Sequence, residues 1–257
     1  MDRLCISGSK WTRVTLDKYR IAIQPVDDET FFGYSLDSVR LNLSTDILNC
    51  QNSDECKDVE SERFIAYLTM ANSPESEESA VDDFASRLFS ILGYDGKGRF
   101  IRTRKRIELL MCSTYTQAET DVCVLYRQNL LFLLQEDKSF VVRHKCDPEP
   151  QVIAECIAAF QNNNMLRAKV GKPMLKCHTF PAVTMIGTSP TFYLVAVTNV
   201  LNRAIEHGID PEVETKILRY DPFKDDKRLS LGMVPPDRRK KILKAFVAMK
   251  DKIINFE

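Results

Sequence analysis

Two kinds of apolar pattern alternate along the chain. From Val81, the positions Val81, Phe84, Ala85, Leu88, Phe89, Ile91 and Leu92 follow helical spacing, and Gly93 ends the run. A second helix is predicted from Asp147-Pro148-Glu149, where an N-cap acid precedes a proline that needs no amide donor. Val152, Ile153, Cys156, Ile157, Phe160 and Met165 carry it to about residue 168. Between these helices the period shortens. Residues 106–112, 120–126 and 130–138 are mostly apolar and rich in β-formers, and the last two read as an antiparallel hairpin. Both alternate faces of these strands are apolar, as in interior strands covered on both sides. Residues 182–186 and 191–197, divided by Gly187-Thr-Ser-Pro190, are two further strands. An amphipathic helix from Asp237 closes the chain, with Ile242, Leu243, Phe246 and Val247 on one face. From residue 80 the order is α-β-β-β-α-β-β and then helices. This predicts a mixed α/β (mixed α+β) layer fold, a central mixed sheet flanked by helices. The chain reads as a single domain over 1–257, with its core over 80–197. Residues 1–75 form an N-terminal extension whose structure the pattern leaves open, and 198–257 a C-terminal helical extension.

Charge adds a second layer of organisation. The 36 Lys and Arg balance 36 Asp and Glu, which argues against a uniformly basic coat for nucleic acid. Along the chain the charges separate. Residues 54–83 hold ten acids and two bases, 97–106 six bases and no acid, and 237–252 seven bases and two acids. Each block is explained by a solvated face. The basic blocks could equally grip phosphates, or pair with the acidic block within the molecule or in a second subunit, as in a homodimer. A composition of 44% hydrophobic and 28% charged residues excludes collagen, wholesale disorder and coiled coil as the main class. The eight cysteines include no C-x-x-C pair, and no run of 18 apolar residues occurs. The expectation is a reduced, intracellular protein, cytoplasmic or nuclear, with no membrane partner. The sequon at Asn42-Leu43-Ser44 is then not expected to be glycosylated.

The chemistry concentrates in the predicted hairpin. If a two-residue turn at Gln128-Asn129 closes it, Asp121 falls opposite Glu136 and Glu119 opposite Lys138. Asp121, Glu136 and Lys138 then share one face. Directly opposed β-carbons lie roughly 4.5–5.5 Å apart, so the two carboxylates repel and favour a divalent cation between them. Oxygen ligands completed by water suit Mg²⁺ or Mn²⁺. Lys138 would sit beside the metal-bound water, where it could orient the water, help deprotonate it or stabilise charge on a phosphate. Other candidates are weaker. His144, His178 and His207 are scattered and read as structural or solvent-facing, and Ser189 is a turn residue. No Gly-rich phosphate loop occurs. In this register Cys123 faces Leu134 in a core.

The stretch from Thr120-Asp121 to Glu136-Asp137-Lys138 resembles the PD-(D/E)XK nuclease-like superfamily, in which an acid on one core strand precedes acid-x-Lys on the next. The α-β-β-β-α-β order is similar too, and the likeness covers roughly residues 80–197. It implies a restriction-endonuclease-like core with N- and C-terminal extensions. It also implies metal-dependent hydrolysis of nucleic-acid phosphodiester bonds, DNA or RNA. Asp121 and Glu136 would hold Mg²⁺ or Mn²⁺, and Lys138 would be the catalytic lysine. Thr120 stands where the family commonly has proline. The acid often supplied by the first core helix has candidates in Glu78, Asp82 and Asp83, and Glu108 on the next strand is another metal ligand to consider. Gln151 or Glu155 matches the polar residue common on the following helix. Arg102, Arg104 and Arg106 alternate beside the core and would grip phosphates. Two alternatives stand: a catalytically inactive module of this fold that binds nucleic acid or a protein, and a small-molecule enzyme reusing the site.

Overall fold

Side chains that accept from free amide groups set the starts of the short helices in the N-terminal part. Asp27 takes the Thr30 amide at 2.8 Å, Ser44 the Asp46 amide and Asp58 the Ser61 amide. The elements run α1 (Arg13–Lys18), β1 (Ile21–Pro25), α2 (Asp28–Phe32), α3 (Thr45–Asn49), α4 (Val59–Ala71) and α5 (Glu78–Ile91). They continue with β2 (Arg99–Met111), β3 (Thr114–Tyr126), β4 (Asn129–Asp137), α6 (Pro148–Lys169), β5 (Cys177–Ile186), β6 (Ser189–Thr198), α7 (Asn199–His207), β7 (Thr215–Tyr220) and α8 (Pro236–Ile254). This is a computed structural model; it describes residues 5–73, 78–137, 147–224 and 231–254, without the side chains of 78, 135–137 and 254.

One seven-stranded sheet, in the order β1-β7-β6-β5-β4-β3-β2, runs through the molecule. The pairs β1/β7 and β4/β5 are parallel and the other four antiparallel. Parallel neighbours need a crossover, and α6 supplies it between β4 and β5. Each face of the sheet carries its own core. Helices α2 to α5 and α8 cover one, against Val122, Val124, Phe132, Leu134, Val183 and Met185. Helices α1, α6 and α7 cover the other, against Cys123, Leu133, Phe180, Ala182 and Val195. The mixed α/β reading therefore holds. The two extensions, however, are part of the same sheet. Residues 1–75 contribute β1, and residues 198–257, expected to be helical, contribute β7 beside it. Both strands are short: β1 lies within Tyr19–Pro25, whose partial alternation of apolar and polar residues suits a strand, whereas β7, its partner some 190 positions away, falls in the stretch read as helical.

The basic C-terminal helix is used inside the molecule. Each of its seven bases donates to an oxygen. Lys252 caps Phe32 O at the end of α2, Lys250 caps Leu92 O just beyond α5, and Lys244 reaches Asp37 O. Lys240 bonds Asn49 Oδ1, Lys241 Pro222 O and Arg238 Gly232 O. Arg239, fully buried, donates to Ile47 O and Cys50 O around the end of α3, and to Met233 O and Val234 O. Helix C-termini present unpaired carbonyls with partial negative charge. Helix α8 therefore joins the N-terminal helices through their ends.

The long β2–β3 hairpin changes face part-way. Arg104 has φ +49°, and the ladder lacks a partner pair between Thr103↔Val122 and Lys105↔Thr120. Before this point Ile101 packs on the α5 and α8 side; after it Ile107, Leu109 and Met111 all pack on the α6 side. Strict alternation would put these odd-numbered residues on one face, so the strand turns over at Arg104. Its distal half packs on α6, and the tip is bonded to α7 by Cys112 N–H to Ile205 O and Ser113 N–H to Glu206 O. Helix α6 is thereby enclosed: residues 152–160 are buried without interruption. The basic stretch 97–106 is largely β2, the edge strand of the sheet.

Candidate functional site

The turnover at Arg104 places Asp121 at the same level on β3. From the other side of the sheet, α5 brings Asp82, buried, with Oδ2 3.6 Å from Arg104 Nε. Asp83 is exposed and the Glu78 side chain lies outside the described residues, so Asp82 is the described acid of the first core helix that reaches this place. Thr120, also buried, donates from Oγ1 to Leu134 O at 3.1 Å and ties β3 to the end of β4. Glu136 lies on that last turn of β4, with its backbone at the level of Met185 on β5.

The hairpin register differs by one residue from the sequence expectation. The turn is Arg127-Gln128, with Tyr126 paired to Asn129, and Leu131 is an extra residue bulged between Leu125↔Leu130 and Val124↔Phe132. Cys123 consequently pairs with Leu133, not Leu134. Carried one step past Val122↔Leu134, the ladder would put Asp121 opposite Gln135 in place of Glu136, so the direct opposition of the two acids expected from a Gln128-Asn129 turn is not kept. The apolar run Leu-Leu-Phe-Leu-Leu gives no local cue to which leucine is extra.

Helix α6 delivers the group that dominates the electrostatics. Glu155 is fully buried; Oε1 accepts a 3.2 Å hydrogen bond from Gln151, and Oε2 has no hydrogen-bond partner among the described residues. Burial pushes its carboxyl well above the ordinary carboxylate range, and the Asp121 carboxylate pushes it further. The Gln151 amide and the Thr120 hydroxyl offset only part of this. A charge without full compensation is expensive at such a buried place. Close by, Cys123 is no nucleophile, because burial pushes its thiol up to about 12.

The start of α6 is locked by an ionic network that the sequence did not reveal. Buried Glu149 pairs with Arg13, and its Oε1 lies 2.8 Å from Arg219 Nε and accepts from Tyr193 OH at 2.8 Å. These partners come from α1, β7 and β6, so the helix entry is fixed against the far half of the sheet. The only local sign was an acid just inside a helix that opens on Asp-Pro.

The remaining candidates are dispersed. Glu108 pairs with Gln117 four positions further along β2, roughly 13 Å at strand rise, and is exposed on a separate cavity. Arg106 is ion-paired with Glu119 at 3.0 Å, whereas Arg102 is exposed and makes no ion pair among the described residues. Lys138 and His144 lie outside the described residues, as does the Glu136 side chain. His178 packs edge-on against Phe180, and burial holds its pKa down at about 3. Among the described residues no three carboxylate, imidazole or thiol groups converge as a metal cluster. No helix among them is long and apolar enough to cross a membrane. No family model and no curated protein matches the chain.

Proposed function

We propose that this chain hydrolyses phosphodiester bonds of nucleic acids, with Mg²⁺ or Mn²⁺ held by Asp121, Glu136 and Glu155 and with Lys138 serving the attacking water. The observation that carries the reading is Glu155: a fully buried carboxyl with one oxygen unpartnered among the described residues, raised by burial first and by Asp121 second. A hard divalent ion takes such oxygen donors and removes the penalty of having them together. When bound, the ion supplies Lewis acidity toward a phosphate and lowers the pKa of water. The protein's own groups do the positioning. Gln151 orients the Glu155 carboxyl, and Thr120 fixes β3 to the end of β4. Asp82 holds Arg104, and Arg102 remains to meet a phosphate at the sheet edge.

Two measurements test this together. Calorimetric titration with Mn²⁺ is expected to show binding that Glu136→Ala abolishes. Cleavage of mixed DNA and RNA is expected to require the metal and to be lost in Lys138→Ala. Cleavage that survives Lys138→Ala unchanged, or Mn²⁺ binding indifferent to Glu136→Ala, overturns the proposal. The second reading, a non-catalytic binding module, draws on the absence of a three-ligand cluster among the described residues. It predicts nucleic-acid binding with no metal dependence.

A further inference from the structure

A second concave site lies further along the same hairpin. The cavity, about 640 Å³, is enclosed by the distal part of β2, the last turns of α6 and helix α7. That volume falls within the range of small-molecule pockets, roughly 300–1,000 Å³. Its frame is built rigidly. Gln161 accepts from Leu110 N–H at 2.8 Å and donates to Leu110 O at 3.1 Å, and Asn164 makes the equivalent pair with Leu175. Asn202 receives the second Gln161 hydrogen and donates to Glu206.

With those side chains committed, others face the cavity with capacity to spare. Asn162 makes only a 3.4 Å contact to Asn163, and neither the Asn199 carboxamide nor the Arg203 guanidinium has a side-chain partner among the described residues. Tyr115, Met165 and Met174 line the same cavity and are 71%, 41% and 64% exposed. An aromatic face and two thioethers are walls that accept a flat ring. Carboxamides read the donor–acceptor edges of bases, and a guanidinium binds phosphate in a fork. Unpaired bases are recognised by this pairing of stacking with edge hydrogen bonds.

We infer that this cavity binds a nucleoside monophosphate unit, its base between Tyr115 and the two methionines and its polar edge on Asn162 and Asn199. Arg203 meets the phosphate. The choice of nucleotide rests on the nucleic-acid reading above. In that setting the occupant is an unpaired nucleotide of the strand being cut, because β2 joins the two places directly. The cavity's β2 residues lie two to six positions past Arg104, roughly 7–20 Å at strand rise.

The test is binding of adenosine, guanosine, cytidine and uridine 5′-monophosphates to the full chain in EDTA. At least one is expected to bind at millimolar concentration or below. Asn162→Leu and Tyr115→Ala, both at accessible positions, are each expected to weaken it about tenfold, the size of one lost base contact. Glu136→Ala is expected to leave it unchanged. Failure of all four to bind, or binding equal to wild type in both pocket variants, overturns the inference. Competition by a single-stranded oligonucleotide would assign the site to a base of the bound strand; without competition the bound species is a free nucleotide. Since metal is absent throughout, a negative cleavage result leaves this measurement intact, and the two proposals fail separately.

Discussion

Glu155 shows how much a single side chain can concentrate. Its carboxyl is raised by burial first and by Asp121 second, so the folded protein keeps a proton there that the unfolded chain loses above about pH 4.3. The stabilising contribution is complete below that unfolded value and is lost as pH rises toward the folded pKa. Metal-free protein is therefore expected to become less stable as pH rises above the unfolded value, in part through this group. Glu155→Gln keeps the Gln151 contact without the ionisation. We expect it to flatten that decline and to raise Tm near pH 8 by roughly 2–4 °C, the shift given by about 1 kcal/mol in a chain of this size. Melts across pH check this, and a lower Tm than wild type at the alkaline end contradicts it.

Two helices work through hydrogen bonds to distant backbone. In α6, Gln161, Asn163 and Asn164 each clamp the N–H and C=O of one residue, Leu110, Leu130 and Leu175 respectively. Helices normally present such residues to solvent, but α6 is enclosed, so its polar side chains satisfy strand and loop backbone instead. Replacing Asn163 by Leu leaves both Leu130 groups unpaired and is expected to cost about 2–4 kcal/mol. In α8, Arg239 serves four carbonyls, and Arg239→Met is expected to cost about 3 kcal/mol or more. Lys240→Met, at one accessible contact, should cost less than about 1 kcal/mol. Urea unfolding of the three variants tests the ranking; an Arg239→Met loss no larger than that of Lys240→Met would show that the clamp is not stabilising.

The molecule as a whole divides its two basic blocks between different tasks. The C-terminal block donates to oxygens within the molecule, and the function proposed above assigns the phosphates to the edge strand β2. Arg102→Ala is expected to weaken nucleic-acid binding and to reduce its salt slope by about 1. Lys244→Gln should leave that slope unaltered, and titrations at several salt concentrations compare them. The extensions matter at this level as well. Residues 80–197 alone would lack β1, β7 and α8, exposing Met185, Phe192 and the face of α5 that α8 covers. That fragment is expected to show no cooperative thermal transition by circular dichroism, whereas the full chain does. A sharp transition from the fragment would mean that the extensions are accessory.

Periodicity and caps are written by residues a few positions apart, which is why α5, α6, β5, β6 and α8 were legible, along with the Asp121, Glu136 and Lys138 pattern and the polar pair Gln151 and Glu155. Whether these chemistry-bearing residues meet is a matter of register. The turn at Arg127-Gln128 and one bulged leucine together moved Cys123 from opposite Leu134 to opposite Leu133, and the turnover at Arg104 changed which face the hairpin presents. Asp82 and Glu149 gained their meaning from Arg104 and Arg219, neither of them a chain neighbour. Arg239 and Ile47 are 192 positions apart, and nothing near either residue announces their bond. Local composition sets which segments form helices and strands, because backbone preferences and side-chain spacing act within one or two turns. Pairing register, the partners of buried charge and the use of the basic helix arise only when packing brings distant segments together and leaves each buried polar group in need of a partner.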